Sequence, residues 1–184
     1  MKARYINLLK ETKVAGIDEL LAWLETTDFF SSPASTQYHG AHEGGLVEHS
    51  LAVRDAAHKL RLAGVFPAMW TVTIDLCTLL HDVCKIGRYR KGTRNVKIDG
   101  RWEQKEVWEY VPEDDFPYGH GEKSVDLICR FIELSDEEKL AIRWHMGPWE
   151  DCDKRACSKA MEHPLTLLVH MADMMASKMC EGRD

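Results

Sequence analysis

The segment Thr73-Ile-Asp-Leu-Cys-Thr-Leu-Leu-His81-Asp82 decides the fold. It belongs to residues 70–83, which are apolar on nearly every side, and this pattern predicts a central, buried helix. The segment ends on a histidine and an aspartate, so this helix would carry two polar side chains into the core. Burying them without partners would cost several kcal/mol. The segment therefore predicts either a helix end that reaches water or two buried side chains with a shared partner.

Three other predicted helices also direct a histidine or a carboxylate towards their apolar side. His49 lies on the inner stripe of a helix predicted over 45–62, and Asp173 lies on the apolar stripe of a last helix, predicted over 165–180. His145 lies on the apolar side near the end of a further helix. A single inward histidine is usually a satisfied core residue, but four helices with imidazole and carboxylate groups favour a shared cation. Such ligands suit Fe, Mn, Co, Ni, Zn or Mg alike.

Most remaining segments are also predicted to be helical, with one exception. The predicted helices and loops are 17–25 (helix), 31–44 (loop), 121–132 (helix), a helix from the Ser135-Asp-Glu-Glu138 capping box to about Met146, and a start of the last helix at Pro164. Residues 96–111 contain β-prone residues around Asp99-Gly100, which is a hairpin turn signal. The predicted fold class is therefore all-α, a compact helical bundle with a small β-hairpin insertion near 96–111.

Length and charge limit the possible partners. The chain has 184 residues, which suits one domain, and its formal net charge is −6. A long nucleic-acid duplex would be repelled by that average charge, so a phosphate-bearing partner needs a metal ion or a local basic patch. A small phosphorylated molecule is the simpler expectation.

Neither the N-terminus nor the cysteines indicate export. Residues 1–10 are too polar for a signal peptide, and no apolar run approaches the roughly 20 residues that span a bilayer. The six cysteines form no CxxC pair, so structural zinc on them is not expected. We therefore expect a cytoplasmic protein with reduced thiols and no membrane partner.

At this point the pattern resembles a known family. The series His49, His81-Asp82, Asp173 resembles the H…HD…D pattern of the HD-domain metal-dependent phosphohydrolase superfamily. The run His81-Asp-Val-Cys-Lys-Ile-Gly87 is similar to its HD-x-x-K-x-G segment, and Gly44-Gly-Leu-Val-Glu-His49 is similar to the start of the helix that supplies its first ligand. The most similar subgroup is the HD domain of bacterial 3′–5′ exoribonucleases, here without their OB domain. The resemblance implies a single HD domain over 1–184, with a metal-binding core at about 38–180 and an N-terminal helical extension at 1–30.

The resemblance also implies roles for individual residues. The implied metal ligands are His49, His81, Asp82, His120, His145 and Asp173. In two-metal relatives, histidines in the intervals that hold His120 and His145 complete a second site, and Asp82 bridges the ions. The alternative is that these two histidines line the substrate pocket and contact phosphate oxygens.

Asp82 and Lys85 are the candidate catalytic residues. Lys85 follows Asp82 by one turn, so its ammonium group could hold a phosphate oxygen or stabilise developing charge. The alternative is a surface lysine at a helix end, where cations are favoured. The candidate substrate-binding residues are Lys85, Arg88, His39 and His42, although a loop histidine is usually only solvated.

The stretch 88–105 is a local basic segment in an acidic protein. Its basic residues, opposed by Asp99 and Glu103, are Arg88, Arg90, Lys91, Arg94, Lys97, Arg101 and Lys105. Aromatic residues are interleaved or follow, at Tyr89, Trp102, Trp108 and Tyr110, and a base could stack on one of them. The alternative is an ordinary hairpin with alternating charge whose aromatics pack against the body.

The resemblance and the residues together predict a phosphohydrolase that cleaves a phosphate ester, of a nucleotide or a related small molecule, with one or two divalent metal ions. A short single-stranded nucleic acid is a second expected partner. Two alternatives remain open: a di-iron oxygenase of the HD fold, similar to myo-inositol oxygenase or a phosphonate-cleaving oxygenase, and a non-catalytic nucleotide-sensing HD module.

Overall fold

A computed structural model describes residues 1–36, 40–98, 100–112, 118–149 and 153–180. Within these ranges the chain is mainly α-helical with one two-stranded antiparallel sheet. The elements are α1 Lys2–Glu11, α2 Ile17–Glu25, α3 Gly45–Leu62, α4 Thr71–Leu80, β1 Tyr89–Ile98, β2 Arg101–Tyr110, α5 His120–Ile128, α6 Asp136–Arg143, α7 Lys154–Ala160 and α8 Pro164–Met175. Among these residues, no helix is both long and apolar enough to cross a membrane.

Helix α4 is the centre of the bundle. Every residue from Ile74 to Leu80 is buried, which explains why its sequence is apolar on nearly all sides. Helices α3, α6 and α8 pack around it, and α1 packs near its C-terminal end, where the Tyr5 hydroxyl donates to the carbonyl of Leu79. One hydrophobic core connects α1, α2, α3, α4, α6 and α8.

Two predicted helices end earlier than the sequence pattern indicates. Helix α4 ends at Leu80, not at residue 83, and Asp82 leaves the helical conformation at φ −106° and ψ 18°. Residues Val83–Lys85 then form a 3-10 turn. Helix α6 begins at the predicted capping box but ends at Arg143. In both places a candidate metal ligand lies just beyond the last helical turn, after the regular helical hydrogen bonds have ended.

Other boundaries also differ from the predictions. Helix α5 begins one residue early and ends at Ile128, while α8 begins at Pro164 and passes at Ala176–Cys180 into a π-helix. The hairpin is longer than predicted, because its first strand begins at Tyr89. Its turn contains Gly100 at φ +82°, and Asp99 lies outside the described residues. Helix α7, which begins at the Asp153 cap, was not predicted.

Gly45 permits a close approach between α3 and the preceding loop. A β-carbon at this position would collide with the backbone carbonyl of Gly40. Gly45→Ala should therefore destabilise the protein by about 1–3 kcal/mol, the usual cost of overpacking. Thermal unfolding measures this loss. The sign of the stability change is informative, because replacing glycine with alanine within a helix ordinarily stabilises a protein by up to about 1 kcal/mol. An unchanged or higher Tm would show that the loop does not hold this position.

Candidate metal centre

Helices α3, α4 and α8 bring four of the ligand candidates to one buried point in the bundle. Helix α3 supplies His49 from its middle, and α8 supplies Asp173 near its C-terminal end. His81 and Asp82 follow directly on α4. The exposed fractions of these four residues are 1% for His49, 0% for His81, 1% for Asp82 and 7% for Asp173. The interpretation in which His81 and Asp82 are wet at a helix end is therefore wrong.

The first donor group consists of His49, His81, Asp82 and Asp173. The Nε2 atom of His49 lies 3.2 Å from Nε2 of His81, 3.6 Å from Oδ2 of Asp82 and 3.1 Å from Oδ1 of Asp173. Nε2 of His81 lies 3.3 Å from Oδ2 of Asp82. Metal–ligand bonds of about 2.1 Å would hold neighbouring ligand atoms roughly 3.0–3.4 Å apart. His49, His81 and Asp82 therefore have the mutual spacing that a single cation requires, and Asp173 adjoins this group through its contact with His49.

The second donor group consists of Asp82, His120 and His145. Oδ1 of Asp82 lies 2.8 Å from Nε2 of His120 and 3.5 Å from Nε2 of His145. His120 opens helix α5, and His145 follows the C-terminal end of α6. The segment after the hairpin and the segment after α6 therefore each place a histidine beside the same carboxylate, that of Asp82.

Asp82 is shared by both groups, one oxygen to each. Its Oδ2 faces His49 and His81, whereas its Oδ1 faces His120 and His145. A carboxylate that directs its two oxygens to two different sets of imidazoles could bridge two cations. Lys85 also contacts Oδ2, at 2.7 Å from its ammonium nitrogen.

Backbone carbonyls orient two of the histidines. Nδ1 of His81 donates to the carbonyl of Thr78 at 2.8 Å, and Nδ1 of His145 donates to that of Ile142 at 2.7 Å. Because a carbonyl only accepts, each hydrogen bond places the proton on Nδ1 and leaves the lone pair of Nε2 directed into the site. This is the orientation that metal-binding imidazoles adopt.

The Nε2 atom of His145 has no hydrogen-bond partner within the described part of the chain, although it is buried. Its distance of 3.5 Å from Asp82 exceeds a good hydrogen bond. Burial also lowers the pKa of His145, which keeps the imidazole neutral and its lone pair available. A buried, unpaired imidazole nitrogen beside a carboxylate fits a metal ligand better than it fits an ordinary core side chain.

The two carboxylates carry negative charge despite their burial. Burial opposes ionisation of Asp82, but Lys85 and the surrounding histidines outweigh it and hold the pKa of this carboxyl well below its usual range. Burial likewise opposes ionisation of Asp173, and its contact with His49 outweighs that effect and lowers the pKa. The site therefore presents two anionic groups and several imidazoles, a donor set that attracts divalent transition metals.

A cavity of about 310 Å³ opens beside the second donor group. His120 and Cys84 lie at its inner end, and the sulfur of Cys84 is 3.4 Å from Nδ1 of His120. Cations and tyrosines line the rest, namely Lys85, Arg88, Lys123, Tyr89, Tyr110 and Tyr118. The cavity therefore has a candidate metal ligand and several cationic side chains in one lining, which suits a phosphorylated molecule.

Lys85 is mostly buried, with 14% of its side chain exposed, at the junction between the cavity and Asp82. Besides its contact with Asp82, its ammonium group donates to the carbonyl of Ala34 at 2.9 Å. Burial opposes the charge, but Asp82 outweighs it and raises the pKa of Lys85, so the side chain is a fixed cation. The interpretation of Lys85 as a surface lysine is wrong.

The other substrate-binding candidates have different locations. Arg88 lies on the cavity and stacks on the ring of Tyr110 at 4.9 Å. The described lining of the cavity does not include His42, which is exposed and lies 3.3 Å from Glu48. His39 falls outside the described residues.

The basic segment is less positive in the fold than its sequence indicates. Glutamates on β2 lie opposite several of its cations, since Glu109 is 3.3 Å from Arg90 and Glu106 is 3.5 Å from Lys91. These two glutamates lie beyond residue 105, so the count over 88–105 did not include them. Of the seven basic residues in that stretch, Arg88 is the one that lines the cavity beside the ligand candidates.

Sequence reasoning did not identify Cys84, Tyr118 and Lys123 as residues of the site. They meet only because Val83–Lys85 packs against α5, which no local pattern reveals. The carbonyl partners of His81 and His145 could have been anticipated, since both histidines follow helix C-termini, where the last carbonyls lack helical partners. Each imidazole binds the carbonyl three residues before it.

Comparisons of the chain with protein-family models, with curated proteins and with solved structures found no match.

Proposed function

We propose that the chain is a metal-dependent phosphohydrolase of the HD-domain type, which cleaves a phosphate ester of a nucleotide or a related small phosphorylated molecule. The observation that carries this proposal is the position of Asp82 between two sets of imidazoles, one at each oxygen. The sequence resemblance to the H…HD…D pattern supports it independently. The cations at the adjacent cavity supply the third argument, because phosphate esters are anionic.

The residues fit a pair of divalent ions. His49, His81, Asp82 and Asp173 would hold one ion, and Asp82, His120 and His145 would hold the other. The unpaired Nε2 of His145 is the clearest sign of a fit, since nothing else in the described structure uses it. Bound divalent metals neutralise phosphate charge and make a water nucleophile available near neutral pH.

The protein's own side chains would position the substrate. The ammonium group of Lys85, fixed by Asp82 and the Ala34 carbonyl, can donate to a phosphate oxygen at the inner end of the cavity. Arg88 and Lys123, which also line the cavity, offer further donors. A volume of about 310 Å³ is at the small end of ligand pockets, which suits a small phosphorylated molecule or the end of a longer one.

Hydrolysis of generic chromogenic phosphate esters tests the proposal. The protein, stripped with a chelator and reloaded with Mn²⁺ or Co²⁺, should hydrolyse p-nitrophenyl phosphate or bis-p-nitrophenyl phosphate, and the chelator should abolish the rate. A protein that binds these metals but turns over neither ester, no nucleotide and no short oligonucleotide would contradict the proposal. Iron in the aerobically purified protein together with oxygen consumption would instead indicate the di-iron oxygenase.

A further inference from the structure

The β-hairpin has one aromatic face. Side chains alternate between the two faces of a strand, and cross-strand partners share a face. The observed register pairs Tyr89 with Tyr110, Lys91 with Trp108, and Lys97 with Trp102. These three pairs occupy positions of the same parity, so they lie on one face, which we call the aromatic face. It holds all four aromatic residues of the hairpin and two of its lysines.

Packing against the body accounts for the inner part of this face but not for its tip. The Tyr89 hydroxyl donates to the carbonyl of Ala34 at 3.3 Å, and Lys91 lies 3.7 Å from Glu43. Trp102 is 72% exposed and Tyr110 is 53% exposed, although large aromatic side chains are usually well buried. Trp108 is partly buried, and the ammonium group of Lys91 lies 5.6 Å from its ring centre. The exposed tryptophan lies at the tip of the hairpin, where no core is available to it. An aromatic ring held in water next to a lysine is suited to a partner that has both flat apolar surfaces and negative charge.

The hairpin is positively charged in an acidic protein. Its described residues include six basic side chains against three glutamates, whereas the whole chain has a net charge of −6. On the opposite face, Arg94 lies directly across from Lys105. Because this pair lies on the other face, it adds to the positive potential of the hairpin but does not itself contact a partner on the aromatic face.

The aromatic face begins at the candidate active site. Tyr89 and Tyr110, the first pair of the hairpin, line the cavity beside Lys85 and His120. From Tyr89 to Lys97 the strand runs about 26 Å at roughly 3.3 Å per residue. A partner lying along this face would therefore deliver its end to the cavity. A two-stranded ribbon twists strongly, which a flexible strand can follow and a rigid duplex cannot.

We propose that the aromatic face of the hairpin binds single-stranded nucleic acid, with bases stacked on Trp102 and Trp108 and a phosphate near Lys97, since Lys91 is already paired with Glu106 and Glu43. Alternation of stacking rings and cations is how proteins bind single strands without sequence preference. The proposal rests on the proposed function only for what occurs in the cavity. Binding along the hairpin does not require hydrolysis, so binding can be measured under conditions in which no hydrolysis occurs.

Fluorescence anisotropy with labelled oligothymidylate and oligouridylate, about ten nucleotides long, tests the proposal in excess chelator, where no hydrolysis occurs. The native chain should bind both at low salt. Trp102→Ala should weaken binding about tenfold, the usual loss for one stacking ring. Lys97→Met should reduce the slope of log affinity against log salt concentration by about 0.7. The matched control is Trp70→Ala, which removes a tryptophan that is 84% exposed but lies outside the hairpin.

The binding measurements distinguish results that support the proposal from results that contradict it. Loss of affinity in the Trp102 variant and an unchanged Trp70 variant would support the proposal. No binding by the native chain, equal binding by all variants, or equally strong competition by polyglutamate would overturn it, the last because an acidic protein would then be the better partner. Hydrolysis of bis-p-nitrophenyl phosphate by the Trp102 variant is measured separately. Oligonucleotide binding without any esterase activity in the native chain would contradict the proposed function and leave this inference standing.

Discussion

Replacing Asp82 with alanine should remove both metal ions and lower phosphate-ester hydrolysis by about a thousandfold or more. Asp82 is the one residue that belongs to both donor groups, so its loss takes an anionic oxygen from each. The variant should also be less stable in the metal-free form by about 3 kcal/mol, because Lys85, which is mostly buried, loses its carboxylate partner. Elemental analysis measures the metal, the chromogenic ester assay measures activity, and thermal unfolding measures stability.

Asp75→Ala is the matched control for this variant. Asp75 is also a buried carboxylate between α3 and α4, and it contacts Arg54 at 2.8 Å and His58 at 2.6 Å. Its removal should destabilise the protein by a similar amount, yet leave the metal content of the folded protein unchanged. Full metal content in the Asp82 variant, or the same loss of metal in both variants, would contradict the assignment of Asp82 as the bridge.

Lys85→Met should lower kcat about 10²–10³-fold while both metal ions remain bound. Methionine keeps the length of the side chain but removes the cation that lies between Asp82 and the cavity. If Lys85 stabilises charge on the reacting phosphate, the loss falls on kcat and not on metal content. The measurement is steady-state kinetics on a chromogenic ester, with metal content determined on the same preparation.

A second lysine of the same cavity provides the comparison. Lys123 lies on α5 and lines the cavity together with Arg88. Lys123→Met should raise KM and change kcat much less, because this group would contribute to binding and not to the reacting bond. If metal content fell in the Lys85 variant in step with kcat, Lys85 would be a positioning residue for Asp82 and not a catalytic one.

The inward direction of His49 and Asp173 could be predicted from the sequence, because each lies on the apolar stripe of a regular helix and the stripe determines the buried face. The burial of His81 could not be predicted in the same way. A residue that follows the end of a helix is buried or wet according to what packs over it, and here the covering helices come from distant parts of the chain.

The long-range contacts of the cavity were the least predictable part. Arg88 was expected at the site, but its stacking on Tyr110 depends on the hairpin register, which the sequence indicated only over its outer half. His42 was expected to reach the site and instead lies at the surface beside Glu48, since its loop turns it towards the N-terminal end of α3. The helical bundle follows from periodicity and the hairpin from its turn signal, whereas the cavity depends on how the elements pack.

The most direct test of the two-ion centre is the number of metal ions per chain. Protein reloaded with Mn²⁺ or Co²⁺ and freed of excess metal should contain two ions per chain by elemental analysis. His145→Ala should reduce this to one, because the first donor group of His49, His81, Asp82 and Asp173 remains complete. A native chain that holds one ion or none, or a His145 variant that still holds two, would contradict the account.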